Sequence, residues 1–324
     1  KELIQELLDQ GNEVYISLPD GELVRSLEKM GCKFVNTAVD RRGINPKTDA
    51  KLMFFYKKLI KKLHPDLVIT YTIKPNIYGG LMCRMLRVPY AVNITGLGTA
   101  FQSESAVKKL VTFLYKIALK KAKVVFFENI GNKQTFLDLH ILKEKQICVL
   151  NGAGVNLAEY PFCEYPSENE TRFLFIGRVM KEKGVDELFE AAERIKKQHS
   201  DVFFDVVGPM EDDYKSRIEE LVKKGVVVYH GYQKDVKSFI ENCHCFVLPS
   251  YHEGMANTLL EAGAMGRPLI TSNIHGCLEA VEEGRNGYLA EAKNAESLLG
   301  QLEKFLGLSC EERKSIQRSG AREI

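Results

Sequence analysis

Residues 253–261 read EGMANTLLE, which places Glu253 just ahead of a glycine and Glu261 inside a run of helix-forming residues. An offset of eight residues is slightly more than two helical turns, so both carboxylates are predicted to face one ligand. The backbone N–H groups between them fall at a helix N-terminus, where unpaired amides and the helix dipole stabilise an anion. The stretch therefore predicts a phosphate-binding helix start in an α/β fold, with an ordinary acidic surface helix as the alternative.

Short β-branched runs alternate with helix-period segments on both sides of this stretch, a pattern typical of parallel sheets wrapped by helices. The predicted strands of the first half are Glu13–Leu18, Lys33–Val39, Leu67–Tyr71, Tyr90–Ile94, Val124–Glu128 and Ile147–Leu150. Those of the second half are Arg172–Ile176, Val202–Val207, Val226–Tyr229, Cys245–Leu248, Pro268–Thr271 and Tyr288–Ala290. We expect two doubly wound α/β domains, residues 1–165 and 166–324, joined by the proline-containing acidic segment 156–170.

Both ends of the chain interrupt this pattern. Residues 1–9 read as a helix with no strand before it, although a doubly wound domain normally begins with a strand. The last residues are helix-like as far as Ile324. The first strand and a C-terminal stretch are therefore expected to lie outside this sequence.

Composition favours a cytosolic protein with unevenly distributed charge. The 324 residues are 45% hydrophobic, yet they contain neither a signal peptide nor the run of roughly 18 apolar residues that a membrane-spanning helix needs. The eight cysteines lack the paired spacing of zinc sites and are expected to be reduced thiols. Residues 1–150 contain 24 Lys or Arg against 14 Asp or Glu, whereas the remainder contains 21 against 29.

Two basic amphipathic segments account for much of the positive charge in the first half. One is Lys57-Lys58-Leu59-Ile60-Lys61-Lys62, and the other contains six lysines between residues 108 and 123. Because basic amphipathic helices attract anionic surfaces, they predict an anionic membrane surface as a partner and a location on the inner face of the cell membrane. A solvated helix face is the alternative. Nucleic acid is not expected, since no recognisable binding module accompanies the charge.

Two cations follow the predicted strand that ends at Ile176. Arg178 comes directly after Gly177, and Lys183 precedes the next helix. Ligands of open α/β sheets collect at the carboxyl ends of the strands, so both side chains are placed to meet phosphate. A planar guanidinium and a compact ammonium suit a diphosphate whose charge grows as it leaves. Exposed loop cations are the alternative.

These segments together resemble the family 4 glycosyltransferases of GT-B fold. The matching segments are Gly177-Arg178 to Lys183-Gly184, His230-Gly231-Tyr232 to Asp235-Val236, Val247–Ser250 leading into Glu253-Gly254, Glu261-Ala262 to Gly266–Ile270, and Gly276–Val281 to Asn286-Gly287. In the first half, Arg41, Asn45-Pro46, Lys74 and Gly96-Leu97-Gly98 resemble bacterial transferases that build surface glycans. Some of that subgroup add an N-acetylhexosamine to an undecaprenyl-diphosphate-linked sugar.

The resemblance implies two Rossmann-like domains that face each other across a cleft, and a retaining hexosyltransferase. Its donor would be a UDP-sugar, with an N-acetylhexosamine as the transferred group, and its acceptor a polyprenyl-diphosphate-linked saccharide used in surface polysaccharide assembly. No cofactor and no metal are implied, because the leaving diphosphate itself would take the proton of the acceptor. We also find no Asp-x-Asp motif at a strand end.

The resemblance further assigns residues to the site. Arg178 and Lys183 would neutralise the diphosphate, and Glu253 would contact the transferred sugar; these three are the implied catalytic residues. The residues implied to hold the donor are Gly177, Gly208, Tyr232, Gln233, Gly254, Met255, Ala256, Asn257, Thr258 and Glu261. Glu261 would bind the ribose, and Tyr232 and Gln233 would line the base. The acceptor-side candidates are Arg41, Lys74, Thr95, Gly96 and Gly98. Many relatives carry a histidine near Thr95, and this sequence does not.

Other functions stay open at this point. One alternative is a GT-B transferase with a soluble acceptor, or a nucleotide-sugar epimerase. Another, of a different class, is a nucleotide-sugar-binding protein without turnover. A nicotinamide-dependent oxidoreductase is not supported, since no Gly-x-Gly-x-x-Gly turn joins a strand to a helix.

Overall fold

The structure is a computed structural model that describes residues 1–39, 45–98, 101, 105–167, 169–211 and 213–320. The strands in these ranges are β1 (Tyr15–Leu18), β2 (Lys33–Asn36), β3 (Val68–Tyr71), β4 (Tyr90–Ile94), β5 (Val124–Phe127), β6 (Ile147–Val149), β7 (Thr171–Ile176), β8 (Val202–Val207), β9 (Val228–Gly231), β10 (Cys245–Leu248), β11 (Leu269–Ser272) and β12 (Gly287–Ala290). Each of the predicted strands is confirmed, with its ends shifted by at most three residues.

Helices fill the segments between the strands, as the alternating pattern predicts. They are α1 (Glu2–Asp9), α2 (Glu22–Lys29), α3 (Pro46–Leu63), α4 (Gly80–Leu86), α5 (Ala106–Ala118), α6 (Ile130–Asp138), α7 (Val185–Lys196), α8 (Lys215–Lys223), α9 (Lys237–Asn242), α10 (Asn257–Ala264), α11 (Ala295–Leu306) and α12 (Cys310–Gly320). None of the helices in the described ranges is long and apolar enough to cross a bilayer.

The strands form three sheets, with orders β1-β2, β3-β4-β5-β6 and β12-β11-β10-β7-β8-β9. Two compact units divide the chain: unit 1 comprises Lys1–Asn93 and Ala100–Val125, and unit 2 comprises Ile94–Thr99 and Phe126–Ile324. The units therefore interleave along the sequence near β4 and β5. The predicted division into residues 1–165 and 166–324 stays a prediction about domain boundaries.

The six-stranded sheet of unit 2 reverses its order between β7 and β10. From β7 the chain adds β8 and β9 on one side, and β10 is followed by β11 and β12 on the other. Helices cover both faces of such a sheet, so its strands are buried almost throughout; the rings of Phe173 and Phe204 stack with centroids 5.1 Å apart in this core. Loops that leave neighbouring strands in opposite directions open a crevice at the carboxyl edge. The order of the strands thus selects the segments after β7 and β10 for ligand binding.

The segment that precedes β7 is packed onto unit 2 by a buried arginine. Only 1% of Arg267 is exposed, and its Nη2 donates to the carbonyls of Cys163 and Glu164, both over 2.7 Å. These bonds hold residues 163–164 against the sheet. The stretch that the sequence suggested as a connection between domains is therefore part of unit 2.

Unit 1 contains a π-helical turn in the segment after α3. Helix α3 is capped by Asn45, whose side chain accepts from the N–H groups of Lys47 and Thr48, with Pro46 in the first turn. After β3, residues Pro75–Gly79 form a π-helical turn that leads into α4. Turns of this kind occur frequently at functional sites.

Candidate functional site

The start of α10 offers backbone donors to an anion. Ala256 precedes the helix without a side-chain cap, and its N–H donates to the carbonyl of Gly276 over 2.9 Å. Within the described residues, the N–H groups of Met255, Asn257 and Thr258 meet no acceptor. Unpaired amides at a helix start stabilise phosphate. Met255, Asn257 and Thr258 therefore have backbone N–H groups available for the predicted contacts with phosphate. The N–H group of Ala256 is already bonded to Gly276.

Lys183 and Glu253 form an ion pair. Lys183 ends a short 3₁₀ turn between β7 and α7, and Glu253 lies between β10 and α10. Lys183 Nζ lies 2.5 Å from Glu253 Oε1, and only 19% and 11% of the two side chains are exposed. The other oxygen, Glu253 Oε2, has no partner in the part of the chain that the structure describes. The structure thus brings two predicted catalytic residues together and leaves one carboxylate oxygen for a hydroxyl group.

Arg178, the third predicted catalytic residue, has a different environment. Its Nη1 lies 3.0 Å from Glu211 Oε2, and 48% of its side chain is exposed. It follows β7, as predicted, but its carboxylate partner is Glu211, whereas the partner of Lys183 is Glu253. Its role at the diphosphate stays a prediction.

Glu261 lies in the second turn of α10, beside the Tyr160 phenol. Burial raises the pKa of the Glu261 carboxyl, while the Tyr160 phenol opposes that shift. Burial and the nearby carboxylate raise the pKa of Tyr160 to about 12, so the phenol keeps its proton as a donor. Sequence reasoning missed Tyr160, because only the packing of the segment before β7 brings it to α10.

Gly254 is a point of close backbone approach. A Cβ atom at this position would lie 1.7 Å from the Thr95 carbonyl oxygen, so no other residue fits without a shift of the backbone. A Cβ atom on Gly96 would lie 3.8 Å from the Gly254 nitrogen. Both Thr95 and Gly96 therefore lie beside the Glu253-Gly254 turn. Gly98, with φ +65°, follows two residues later.

Glu128 and Asn129 also border this turn, and sequence reasoning missed both. The Asn129 side-chain amide donates to the carbonyls of Gly254 and Glu253, the latter over 3.4 Å. Its Oδ1 accepts from the Asn132 N–H over 2.7 Å and so caps α6. Only 8% of Glu128 is exposed, and burial raises the pKa of its carboxyl. Their position directly after β5, at the carboxyl end of a parallel strand, is the sequence signal that could have found them.

The remaining predicted donor residues lie after β7, β8 and β9. A Cβ atom on Gly208, which has φ +140°, would lie 1.9 Å from the Gly177 carbonyl oxygen, so these two backbones touch. Tyr232 is 66% exposed, and the Gln233 amide donates to the His230 carbonyl over 2.8 Å. All four residues sit at the predicted edge of the sheet. Their contacts with a nucleotide stay predictions.

In unit 1, the predicted acceptor residue Lys74 is engaged in a buried ion pair. Its Nζ lies 2.8 Å from Asp49 Oδ1, with side-chain exposures of 13% and 7%. Tyr78 lies beside Asp49, and burial together with this carboxylate raises the pKa of the phenol to about 12. Lys74 is therefore a largely buried cation with a carboxylate partner. Arg41, the other basic acceptor-side candidate, lies outside the described residues.

Comparison with known proteins assigns this architecture to a family. The family model described as "Glycosyl transferases group 1" matches residues 159–323, and that of "Glycosyl transferase 4-like" matches residues 1–129. An N,N'-diacetylbacillosaminyl-diphospho-undecaprenol alpha-1,3-N-acetylgalactosaminyltransferase of Campylobacter jejuni is 30% identical, over 94% of this chain and 84% of its own. A UDP-Gal:alpha-D-GlcNAc-diphosphoundecaprenol alpha-1,3-galactosyltransferase of Escherichia coli is 28% identical, over 81% and 71%.

Solved structures agree on the fold. A glycosyltransferase of Rickettsia africae superposes with a TM-score of 0.81 at 22% identity, and covers 99% of this chain and 87% of its own. The Anabaena protein Alr3699/HepE superposes with a TM-score of 0.80 at 17% identity, over 99% and 89%. The GT-B class that the sequence predicts is thereby confirmed. With two family models spanning most of its length and a 30% identical relative aligned along nearly all of it, the chain belongs to the group 1, family 4-like glycosyltransferases.

Proposed function

We propose that the protein moves an N-acetylhexosamine from a UDP-sugar to a polyprenyl-diphosphate-linked saccharide, with retention of anomeric configuration. The observation that carries this proposal is the Lys183–Glu253 pair ahead of the unpaired amides of α10. In this arrangement a cation and a carboxylate that can accept from a hydroxyl group lie together, just ahead of backbone N–H groups that can donate to phosphate. The relatives supply the substrate class, since two of their names state a diphospho-undecaprenol-linked acceptor and one states UDP-Gal.

In the proposed reaction, the bond between the sugar C1 and the diphosphate oxygen breaks while C1 bonds to the acceptor oxygen on the same face. The acceptor hydroxyl proton goes to the departing diphosphate. Lys183 and the α10 amides stabilise the negative charge that grows on that diphosphate, with Arg178 as a second cation. Glu253 Oε2 accepts from a sugar hydroxyl, and Glu261, oriented by Tyr160, accepts from the ribose.

Two features support the stereochemistry and the absence of a metal requirement. Both relatives are named for alpha-1,3 transfer. A sugar that is α-linked to its diphosphate and ends in an α linkage has kept its configuration. Protein cations and amides at the diphosphate supply the charge compensation that a divalent ion gives elsewhere. Transfer is therefore expected to continue in the presence of a chelator.

We also propose that the enzyme works at the inner face of the cell membrane. Helix α5 exposes Val107, Leu110 and Phe113, at 41%, 44% and 59%, on one stripe that is flanked by the exposed Lys109 and Lys116. An apolar stripe edged by lysines is the pattern of a helix that lies in a membrane interface. The stripe supports attachment to anionic lipid next to a lipid-linked acceptor.

Liposome sedimentation tests this attachment. Reversal of Lys57, Lys58, Lys61 and Lys62 on α3 to Glu, or of Phe113 to Ser, is expected to release the protein from anionic vesicles. The control reverses Lys215 and Lys223, which are exposed on α8 of unit 2, and should leave binding unchanged. If both sets of variants bind equally well, the basic helices are simply solvated.

The central experiment is a transfer assay in detergent with UDP-GalNAc, UDP-GlcNAc and UDP-Gal, with and without a polyprenyl-diphosphate-linked sugar. UDP release that rises with the lipid acceptor and persists with chelator is the expected result. Turnover only with a soluble acceptor would replace the lipid-linked acceptor in the proposal. Conversion of the donor sugar into its epimer would replace transfer with epimerisation. UDP binding without turnover for every pair would favour a nucleotide-sugar-binding protein.

A further inference from the structure

Glu128 is a buried acid without a structural partner. It follows β5 directly, and only 8% of it is exposed. No residue in the described ranges donates a hydrogen bond to its carboxylate or forms an ion pair with it. Its two carboxylate oxygens keep some solvent access, so a ligand can reach them. Its neighbour Asn129, in contrast, uses both ends of its amide to cap α6 and to hold the Glu253-Gly254 turn.

The carboxylate of Glu128 faces the same turn. A Cβ atom on Gly254 would lie 3.1 Å from Glu128 Oε2 and 1.7 Å from the Thr95 carbonyl oxygen. Two oxygen acceptors therefore crowd one glycine, and the adjacent Glu253 carboxylate is paired with Lys183. Among the described residues, the donors at this turn serve Glu253 and the backbone carbonyls, and none serves Glu128.

The chemistry of these acceptors separates this turn from the phosphate end of the site. Phosphate is an anion that only accepts hydrogen bonds at its oxygens, so Glu128 would repel it. A sugar carries hydroxyl groups, and an N-acetylhexosamine carries an amide N–H as well; each donates to carboxylate oxygens. The lysine and amides at Lys183 and α10 suit the diphosphate, and the carboxylates suit the sugar.

We propose that Glu128 is a sugar-binding residue whose carboxylate accepts a hydrogen bond from a hydroxyl or amide N–H of a sugar held at the Glu253-Gly254 turn. This inference rests on the proposed function. Both the transferred sugar and the first sugar of the acceptor have that chemistry. The buried carboxylate, which burial makes harder to ionise, gains its missing donor when the sugar binds.

Binding measurements test this inference without requiring turnover. The variants are Glu128→Gln and Glu128→Ala, with Glu144→Gln as the control, because Glu144 is 67% exposed on the same unit. Calorimetry would give dissociation constants for UDP, for UDP-N-acetylhexosamine and for a polyprenyl-diphosphate-linked GlcNAc in detergent. UDP binding should be unchanged, while one sugar ligand should bind about tenfold more weakly or worse.

The ligand that weakens identifies the sugar. A loss confined to the UDP-sugar assigns Glu128 to the transferred group, and a loss confined to the lipid-linked sugar assigns it to the acceptor. Equal affinities of the wild type and both variants for both ligands would overturn the inference. A loss of sugar affinity in a protein that shows no transfer would count against the proposed function and not against the Glu128 contact.

Thermal unfolding distinguishes binding from support of the fold. If Glu128 serves the sugar, Glu128→Gln should unfold at or above the wild-type temperature at pH 8, since it removes an unpaired buried charge. A large loss of stability in that variant would make Glu128 a structural residue and contradict the proposal.

Discussion

A buried lysine–carboxylate pair lies in each unit, and the two pairs differ in whether the carboxylate has a further polar neighbour. Asp49 in unit 1 pairs with Lys74 and also lies beside the phenol of Tyr78. Glu253 in unit 2 accepts from Lys183 alone within the described residues, and the segment after it carries unpaired amides. Burial is similar in both. A satisfied carboxylate stabilises the fold, whereas one with an open oxygen beside free donors is arranged for a ligand.

The largest expected effect is the loss of stability when the Lys74–Asp49 pair of unit 1 is broken. Lys74→Met leaves the Asp49 carboxylate buried without its cation, so the free energy of unfolding should fall by about 3–5 kcal/mol. Urea denaturation measures this change. The double variant Lys74→Met/Asp49→Asn should recover most of the loss, because it removes both charges. Full stability of Lys74→Met with weakened binding of the lipid-linked acceptor would instead give Lys74 the acceptor role that the sequence suggested.

Loss of the lysine from the Lys183–Glu253 pair of unit 2 should lower the rate of sugar transfer. Lys183→Ala is expected to lower kcat by about 10²–10³-fold with a smaller change in donor affinity, because the lysine acts on charge that develops as the diphosphate leaves. Arg178→Ala should cost less, since that side chain is 48% exposed and paired with Glu211. Lys181→Ala, in the same turn as Lys183, is the control. An unchanged kcat in Lys183→Ala would remove it from the reaction.

A smaller effect is expected at the nucleotide end of unit 2. Glu261→Gln should weaken the binding of free UDP about tenfold, as expected when a hydrogen bond to a charged group is lost. Tyr160→Phe removes the phenol that orients this carboxyl and should weaken UDP less. Calorimetric titration with UDP measures both. The same dissociation constant in the wild type and Glu261→Gln would contradict the ribose contact.

The smallest expected effect is on the pH dependence of stability. Burial raises the pKa of Glu128 and Glu261 above the ordinary value of 4.5. The folded chain therefore holds these protons to higher pH than the unfolded chain, and its stability falls as pH rises through the folded-state pKa. The variants Glu128→Gln and Glu261→Gln have no titrating carboxyl group at these positions, so they should not lose stability in this way as pH rises. Their melting temperatures should match the wild type near pH 4 and exceed it by about 2–4 °C at pH 8.

A melting-temperature difference that does not change with pH would show that these carboxyls are not strained in the fold. Arg172 gives a useful contrast, since it pairs Asp205 at 3.0 Å while His230 contacts the same carboxylate at 2.7 Å. Removal of that satisfied carboxylate should destabilise the protein at neutral pH.

Local pattern was sufficient for the secondary structure and for part of the site. Alternating β-branched and helix-period runs predicted every strand that lies in the described ranges, because strand and helix periodicities follow from burial of one face. The segments after β7 and β10 could be recognised because Arg178, Lys183, Glu253 and Glu261 stand at strand ends and helix starts. The positions of these residues relative to the strands and helices can be predicted without knowledge of tertiary packing.

The pairings could not be predicted in this way. Lys74 is predicted as an acceptor-side residue, and nothing in a local window shows that Asp49, 25 residues earlier, lies against it. Tyr160 and Glu128 carry no motif, and each reaches the site from a segment far away in sequence. Which backbone amides stay free also depends on distant carbonyls, as the bond from Ala256 to Gly276 shows.

The sequence by itself determined the family, the parallel α/β architecture and the positions of the charged groups at strand ends. These properties depend on periodicity and on residue type, which short segments express alone. Only the tertiary structure decided which of those charges are satisfied and which are open. That decision depends on donors and burial contributed by residues remote in the chain, because the energy of a buried polar group is set by its neighbours in space.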